Sequence, residues 1–463
     1  MTVASRSEPN HVAVIDIGKS NAKLALVDLP TLSEIDVMTR PNDVREGPPW
    51  PHYDVKGHWD FLLQGLAQFH KDHRIDAIAV TTHGASAALL ARDGTLAAPI
   101  LDYEHEYDQR YIDDYATLKP DFRTTGSPTL VGGLNVGAQL HWQFAIDPTL
   151  RDRTAQIVTY PQYWGHLLTG VAATDVTSIG CHTDLWNPRE GGFSDLPAKL
   201  GIEGKIAPVR KSNEVLGTVL PEVAKRTGLP PDTPVCVGIH DSNASLYPHL
   251  LSQTGPFSVV STGTWVVVMT IGGSEVTMDA SGDMLVIVNA FGQAVPSPRF
   301  MGGREHALLQ QGQAVDASEP DVADVLSAQL MVLPAVDPRT GPFAGQEMRW
   351  NKDEPALGTG TRSAAVSFYL AMMTDTCLRL AGATGPTIIE GPFANNCEFT
   401  TLLAVATGRP VLTSAAATGT SIGAALLFQN KASSIKPTEL ELPDDVSDYQ
   451  NYAALWHSIA RQY

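Results

Sequence analysis

The chain has 463 residues, enough for two domains, and 43% of them are hydrophobic, enough for sizeable cores. Its formal net charge of −18 argues against a general affinity for nucleic acid or anionic membrane, both of which reward basic patches. The four cysteines, Cys181, Cys236, Cys377 and Cys397, show neither zinc-like pairing nor a dense framework and fit reduced thiols.

Residues 1–11 lack an apolar h-region, and no uninterrupted apolar run approaches the roughly 18 residues that a membrane span needs. The expectation is a soluble, cytoplasmic protein. Residues 11–28 open the fold. Val12, Val14 and Ile15 read as a strand, residues 16–21 as a polar turn, and Leu24 to Val27 as the returning strand. Amides in a Gly-containing turn can face phosphate oxygens. Taken alone, the motif reads better as an ordinary hairpin with a charged tip.

Residues 57–74 carry Trp59, Leu62, Leu63, Leu66 and Phe69 at helical spacing. A buried strand over 75–80 follows and ends in the polar residues 81–86, which include His83 and Gly84. That order predicts an α/β layer with its site at a strand's C-terminal edge. Residues 101–108, with His105, read either as a solvated loop or as a wall for a polyhydroxylated ligand. The stretches 160–170 and 175–184 are polar and aromatic. The second of these suits sugar recognition and an ordinary capped loop equally well.

Residues 235–244, Val-Cys-Val-Gly-Ile-His-Asp-Ser-Asn-Ala, form an apolar run that ends at Gly238 and delivers Asp241. A carboxylate held at a rigid strand end is a common general base, although a helix N-cap is the plainer reading of Asp241 alone. Residues 257–265 read strand, Thr262-Gly263-Thr264 turn, strand. A long helix is predicted over 363–381. A short strand over 387–390 leads through Gly391 and Asn396 into a helix over 397–407, and a small-residue helix follows 418–419. The two halves echo each other, each beginning with a Gly-plus-hydroxyl hairpin. The boundary is expected near 246–255, giving lobes over 1–245 and 246–463.

In this order the pieces resemble the FGGY family of carbohydrate kinases over nearly the whole chain. Residues 14–23 are similar to the family's first phosphate hairpin, with Lys19 where a Thr is usual. Residues 257–265 are similar to the second. Residues 387–426 resemble the adenosine segment, with Gly391-Pro392-Phe393 in place of three glycines. The segment Gly238-Ile239-His240-Asp241-Ser242 resembles the His-Asp-Thr pattern of L-rhamnulose and L-fuculose kinases more than the commoner Gly-Asp-Gln. The resemblance implies an α/β fold of two ribonuclease-H-like, actin/hexokinase-type lobes with an interlobe active-site cleft.

It also implies roles. Asp241 is the catalytic base, and Asp16 with Asp241 holds Mg²⁺. His83, Gly84, His105, Gln162, Tyr163, His240 and Asp241 lie on the sugar side. Gly18, Lys19, Ser20, Lys23, Thr262, Gly263, Thr264, Gly391 and Asn396 lie on the nucleotide side. The implied partners are ATP and a sugar, with a homodimer left open and neither nucleic acid nor membrane expected. The implied reaction is phosphorylation of a ketose such as a 6-deoxyhexulose, with pentuloses, tetruloses and other hexuloses, or polyols, as alternatives. A zinc hydrolase is disfavoured because His73, His83, His105 and His182 show no ligand spacing beside a suitable carboxylate. A serine hydrolase lacks its Gly-x-Ser-x-Gly elbow. A catalytically idle nucleotide- or sugar-binding protein of the same fold would not need Asp241.

Overall fold

In the computed structural model, which describes residues 9–130, 132–277, 280–413, 419–429 and 437–460, the first sheet grows from the opening hairpin. Strands β1 (His11–Ile17) and β2 (Asn21–Asp28) pair antiparallel, and β3 (Ser33–Pro41) extends them. Val12 to Ile15 are all fully buried. A strand covered on both faces must be apolar on both, which is why this run does not alternate.

Helix α1 (Val55–His73) carries the chain back to β4 (Ala77–Thr82), which lies parallel to β1. Asp54 starts α1 by accepting the Gly57 N–H, and Arg40 and Arg45 hold its carboxylate. Leu62, Leu66 and Phe69 line the helix's buried face. After the helix α2 (Tyr160–Thr169), strands β5 (Val215–Thr218) and β6 (Pro234–Cys236) complete the order β5-β6-β4-β1-β2-β3. Helix α3 (Asp241–Ser252) leaves from the end of this sheet.

The second sheet has the same plan. Strands β7 (Phe257–Thr262), β8 (Val266–Ile271) and β9 (Ala294–Phe300) run antiparallel. On the other side β7 is parallel to β10 (Thr387–Glu390), β10 to β11 (Val411–Thr413), and an antiparallel edge β12 (Thr438–Glu439) follows. Both sheets thus read as a hairpin flanked by one antiparallel strand and two parallel ones. The expected echo between the halves is an echo of strand order.

By contact density the chain divides into one compact unit of Met1–Ser252, Val286–Ala294 and Thr418–Ser433, and a second of Gln253–Leu285, Val295–Ala417 and Ser434–Tyr463. A single cut near residue 246 therefore passes through α3 and leaves the helix Thr420–Ala425 on the far side from β1 and β4, against which it packs. In the second unit, helix α4 (Gly360–Leu380) is buried nearly all round, with Ala364, Val366, Phe368, Leu370 and Met372 fully covered. A helix apolar on every side belongs in a core. Tyr452 and Trp456 pack into the same core, their polar tips donating to the carbonyls of Leu330 and Val332.

Candidate active site

The tip of the first hairpin is fixed from behind. Gly18 N–H donates to the Asn21 carbonyl at 2.9 Å, Asn42 N–H to the Ser20 carbonyl at 2.9 Å, and Asn42 Nδ2 to the Gly18 carbonyl at 2.8 Å. Asn42, buried and held in turn by His58, is a residue the sequence reading passed over. Beside the tip lies a concavity of about 390 Å³ lined by Asp16, Gly18, Ser20, Asn21, Lys23 and Thr39. Lys23 reaches Glu34 at 2.7 Å.

Lys19, expected among the phosphate contacts, is turned away from this concavity. Its ammonium pairs with Asp102 and, at 3.0 Å, with Glu104, and it sits 4.9 Å from the centre of the Tyr103 ring. The reason is electrostatic. Asp102 is 7% exposed and otherwise has only neutral donors, the Tyr53 hydroxyl at 3.1 Å and the Glu104 N–H. A buried carboxylate draws the nearest cation.

Register brings together the two segments expected on the sugar side. The short strand Ile239–His240 pairs in parallel with Thr81 and Thr82 of β4. His83-Gly84 and His240-Asp241 therefore leave the sheet side by side. A Cβ on Gly84 would fall 2.5 Å from His240 Nε2, so only glycine leaves room for that ring. His240 Nε2 stands 3.3 Å from Asp241 Oδ1, and the Asp241 side chain is about a third exposed, at 32%.

His83 sits among Tyr53, Tyr103 and Tyr160, with ring centres 5.4, 5.1 and 4.8 Å away. Burial holds its imidazole well below the usual range, so the ring is neutral at neutral pH. Its Nδ1 lies 2.6 Å from the Gly84 carbonyl. A carbonyl only accepts, so Nδ1 carries the proton and Nε2 the lone pair. Nε2 is buried and has no hydrogen-bond partner among the described residues. It is an acceptor waiting for a donor. Asp16, largely buried, has its pKa raised first by desolvation and also by the charge of Asp241; the Thr420 hydroxyl bond opposes the rise.

The structure adds two residues read only as part of a polar loop. Asp175 is fully buried and accepts from the amides of Thr177 and Ser178 and the hydroxyls of Thr177 (2.5 Å) and Ser212 (2.8 Å). Thr177 Oγ1 in turn accepts the His240 N–H at 3.0 Å. The chain Asp175–Thr177–His240 pins the segment that carries Asp241. The signal was present in the run Thr174-Asp175-Val176-Thr177, an Asx-type cap at the start of a short helix, but nothing local says that it reaches residue 240.

Gln162 and Tyr163 do not present side chains to a ligand surface. Gln162 is fully buried, donating to the Val237 carbonyl at 3.0 Å and accepting from the Thr159 hydroxyl. Tyr163 is core, against Trp164. Both face inward on α2, which packs on the sheet. The His105 ring centre lies 4.6 Å from that of Trp142, tilted, and 5.4 Å from that of Tyr107, edge-on.

In the second unit, the Thr262 hydroxyl donates to the Glu390 carbonyl and accepts the Phe393 N–H at 3.1 Å. It ties the end of β7 to the turn after β10. Gly391 has φ +84°, and a Cβ there would meet the Thr262 carbonyl at 2.0 Å. The Gly263 N–H closes the Thr262–Thr264 tip on the Trp265 carbonyl at 2.9 Å. Asn396 caps helix α5 (Cys397–Thr407), accepting the Phe399 N–H at 2.8 Å and donating to Ser367 Oγ at 2.9 Å. Residues 414–418 of the adenosine-like segment lie outside the described residues.

The sequence profile of the FGGY family of carbohydrate kinases, N-terminal domain, matches residues 11–247, and that of the carbohydrate kinase FGGY C-terminal domain matches residues 254–437. The chain belongs to the FGGY family of carbohydrate kinases. L-fuculokinase of Escherichia coli (strain K12) is 28% identical over 269 residues, 56% of this chain and 54% of that protein. Rhamnulokinase of Lactiplantibacillus plantarum is 30% identical over 278 residues, 58% and 54% of the two chains. The chain thus matches about half the length of these curated relatives. The crystal structure of a carbohydrate kinase from Novosphingobium aromaticivorans superposes with a TM-score of 0.89 at 34% identity, covering 97% of this FGGY chain and all of the other. No described helix is long and apolar enough to cross a membrane.

Proposed function

We propose that this FGGY chain transfers the γ-phosphoryl group of ATP to a hydroxyl of a ketose, with a 6-deoxyhexulose such as L-fuculose or L-rhamnulose as the first candidate. The observation that carries this reading is the unpartnered, buried Nε2 of neutral His83 on the strand end beside His240 and Asp241. A neutral acceptor inside an aromatic wall fits an uncharged hydroxyl.

Asp241 takes the proton of the attacking hydroxyl, a role that typically supplies about 10²–10⁴-fold. His240 Nε2 orients the carboxylate. Gly18 and Ser20 in the first unit, and Thr262, Gly263 and Thr264 in the second, offer turn amides and hydroxyls to phosphate oxygens. Gly391 and Asn396 shape the loop assigned to the adenosine. Lys19 holds the hairpin tip to the 102–104 loop instead of meeting phosphate.

Asp16 and Asp241 fit Mg²⁺. They are hard oxygen donors, and their mutual repulsion, together with the burial of Asp16, is relieved by a divalent cation. When bound, Mg²⁺ would neutralise phosphate charge.

The test is ADP release with ATP and Mg²⁺ across L-fuculose, L-rhamnulose, L-xylulose, D-xylulose and glycerol. Sugar-dependent ADP formation, strongest with a deoxyhexulose, is expected. Sugar binding with no ADP release from any substrate would overturn the kinase reading, and a stronger response to a pentulose would overturn the substrate choice.

A further inference from the structure

Sequence spacing separates Cys181-His182 from His240 by more than fifty residues, yet the fold brings them together. One ligand atom from each of Cys181, His182 and His240 lies within 4.8 Å of the others. Cys181 and His240 are buried, and His182 is half-buried. No step proposed for phosphoryl transfer uses the thiol or the His182 ring.

Three details suit a metal. First, His182 Nδ1 lies 2.7 Å from the Leu134 carbonyl. The carbonyl fixes the proton on Nδ1 and leaves the lone pair on Nε2, the tautomer found when an outer-shell acceptor orients a metal-bound histidine. Second, His182 has φ +39°, a backbone that a side chain other than glycine adopts only when its surroundings impose it. The imposed turn faces its ring towards His240, 6.3 Å between ring centres. Third, the His240 side chain is more than nine-tenths buried; its Nδ1 has no partner, and its Nε2 stands 3.3 Å from Asp241. Carboxylate–histidine–metal triads have this layout.

We propose that Cys181, His182 and His240 form a binding site for a thiophilic divalent ion, with Zn²⁺ the best match, and that its occupation switches off the base Asp241. One thiolate and two imidazoles are a Zn²⁺ ligand set, and three protein ligands leave a fourth position open. Tetrahedral Zn²⁺ sets its ligand atoms roughly 3.3–3.8 Å apart, so the cluster must contract by about 1 Å, which side-chain rotation supplies. The ion replaces the thiol proton, which leaves to solvent.

Coupling to Asp241 follows from either ring nitrogen. Through Nδ1, the ion makes the His240 Nε2–H a stronger donor to Asp241 Oδ1 and so makes the carboxylate a weaker acceptor for the substrate proton. Through Nε2, the same oxygen lies beside the ion and fills its open position. Mg²⁺ does not compete, because it avoids sulfur and binds oxygen. The inhibitory half of this proposal rests on Asp241 being the base; the binding half does not.

The test therefore reads binding and activity separately. Co²⁺ is titrated into reduced, metal-free full-length protein, following the thiolate-to-cobalt absorption in the near ultraviolet, and Zn²⁺ binding is measured by calorimetry. ADP release is then assayed with excess Mg²⁺ with and without one equivalent of Zn²⁺, followed by a zinc-selective chelator. Expected is one ion per chain, the thiolate band, and a loss of turnover that the chelator restores. Cys181→Ser should lose the band and retain uninhibited turnover. His182→Gln, checked for folding by circular dichroism, should weaken Zn²⁺ binding with the band reduced. Absence of stoichiometric binding, or the same band in Cys181→Ser, overturns the site. Full turnover of the Zn²⁺-loaded protein overturns the switch alone. Binding in a protein that phosphorylates no sugar leaves the site standing and refutes the kinase reading.

Discussion

Asp241 Oδ1 lies 3.3 Å from His240 Nε2, and the same oxygen accepts the Ser242 N–H at 2.6 Å. One carboxylate oxygen is thus anchored by its own helix and by a ring that the sheet delivers beside it. The side chain as a whole is 32% exposed.

Asp241→Asn keeps the shape of this arrangement and removes the base. We expect kcat to fall by roughly 10²–10⁴-fold with sugar affinity little changed. Steady-state ADP release and direct sugar binding check this together. Near-normal turnover would show that another group takes the proton.

Lys19→Met tests where that ammonium works. Removing it leaves the buried Asp102 carboxylate with only the Tyr53 hydroxyl and the Glu104 N–H. The first unit should lose about 1–3 kcal/mol in urea unfolding. The KM for sugar should rise while the KM for ATP stays put, because Lys19 faces residues 102–104 and not the concavity at the hairpin tip. A selective loss of ATP affinity would return Lys19 to the phosphates.

Thr177→Val cuts the link between Asp175 and the His240 amide, 3.0 Å long in the intact chain. A buried N–H left without its acceptor costs about 1–3 kcal/mol. We expect kcat to suffer more than KM, with Thr177→Ser restoring most of it. Loss in Thr177→Ser with Thr177→Val near normal would mean that packing of the methyl group, and not the hydrogen bond, positions the segment.

Glu305 in the second unit is fully buried, accepts from the Tyr369 hydroxyl at 2.8 Å, and has its pKa pushed by burial from 4.5 to about 7. The folded state therefore holds this proton more tightly than the unfolded chain. The resulting stability is present below pH about 4.5 and is lost as the pH rises through about 7, up to roughly 3 kcal/mol. Glu305→Gln cannot ionise and should flatten this part of the pH profile. Urea unfolding at about pH 5 and about pH 8 makes the comparison; an unchanged slope in the variant would assign it to other groups.

Much of this protein was legible before its structure. Central strands are covered on both faces, so β1 and β4 showed in the apolar runs Val12–Ile15 and Ala77–Val80, and glycines with hydroxyls marked both hairpin tips. The helices α1, α4 and α5 showed in their spacing and caps. Asp241 stood out because a strand end followed by a carboxylate is a local pattern. What joins residues distant in sequence was not legible. Lys19 was expected at the phosphates because residues 14–23 resemble the family's first phosphate hairpin; a carboxylate 83 residues away decides its direction. Gln162 and Tyr163 were expected on the sugar side by resemblance alone, yet the packing of α2 turned them inward. Asp175 and Thr177 support residue 240, and Cys181 and His182 meet His240, only through the register of separate strands. Periodicity and turn chemistry act over a few residues, so sequence alone determined the elements and the ends from which a site is built. Burial and charge pairing act through space, and they alone decided which side chains share it.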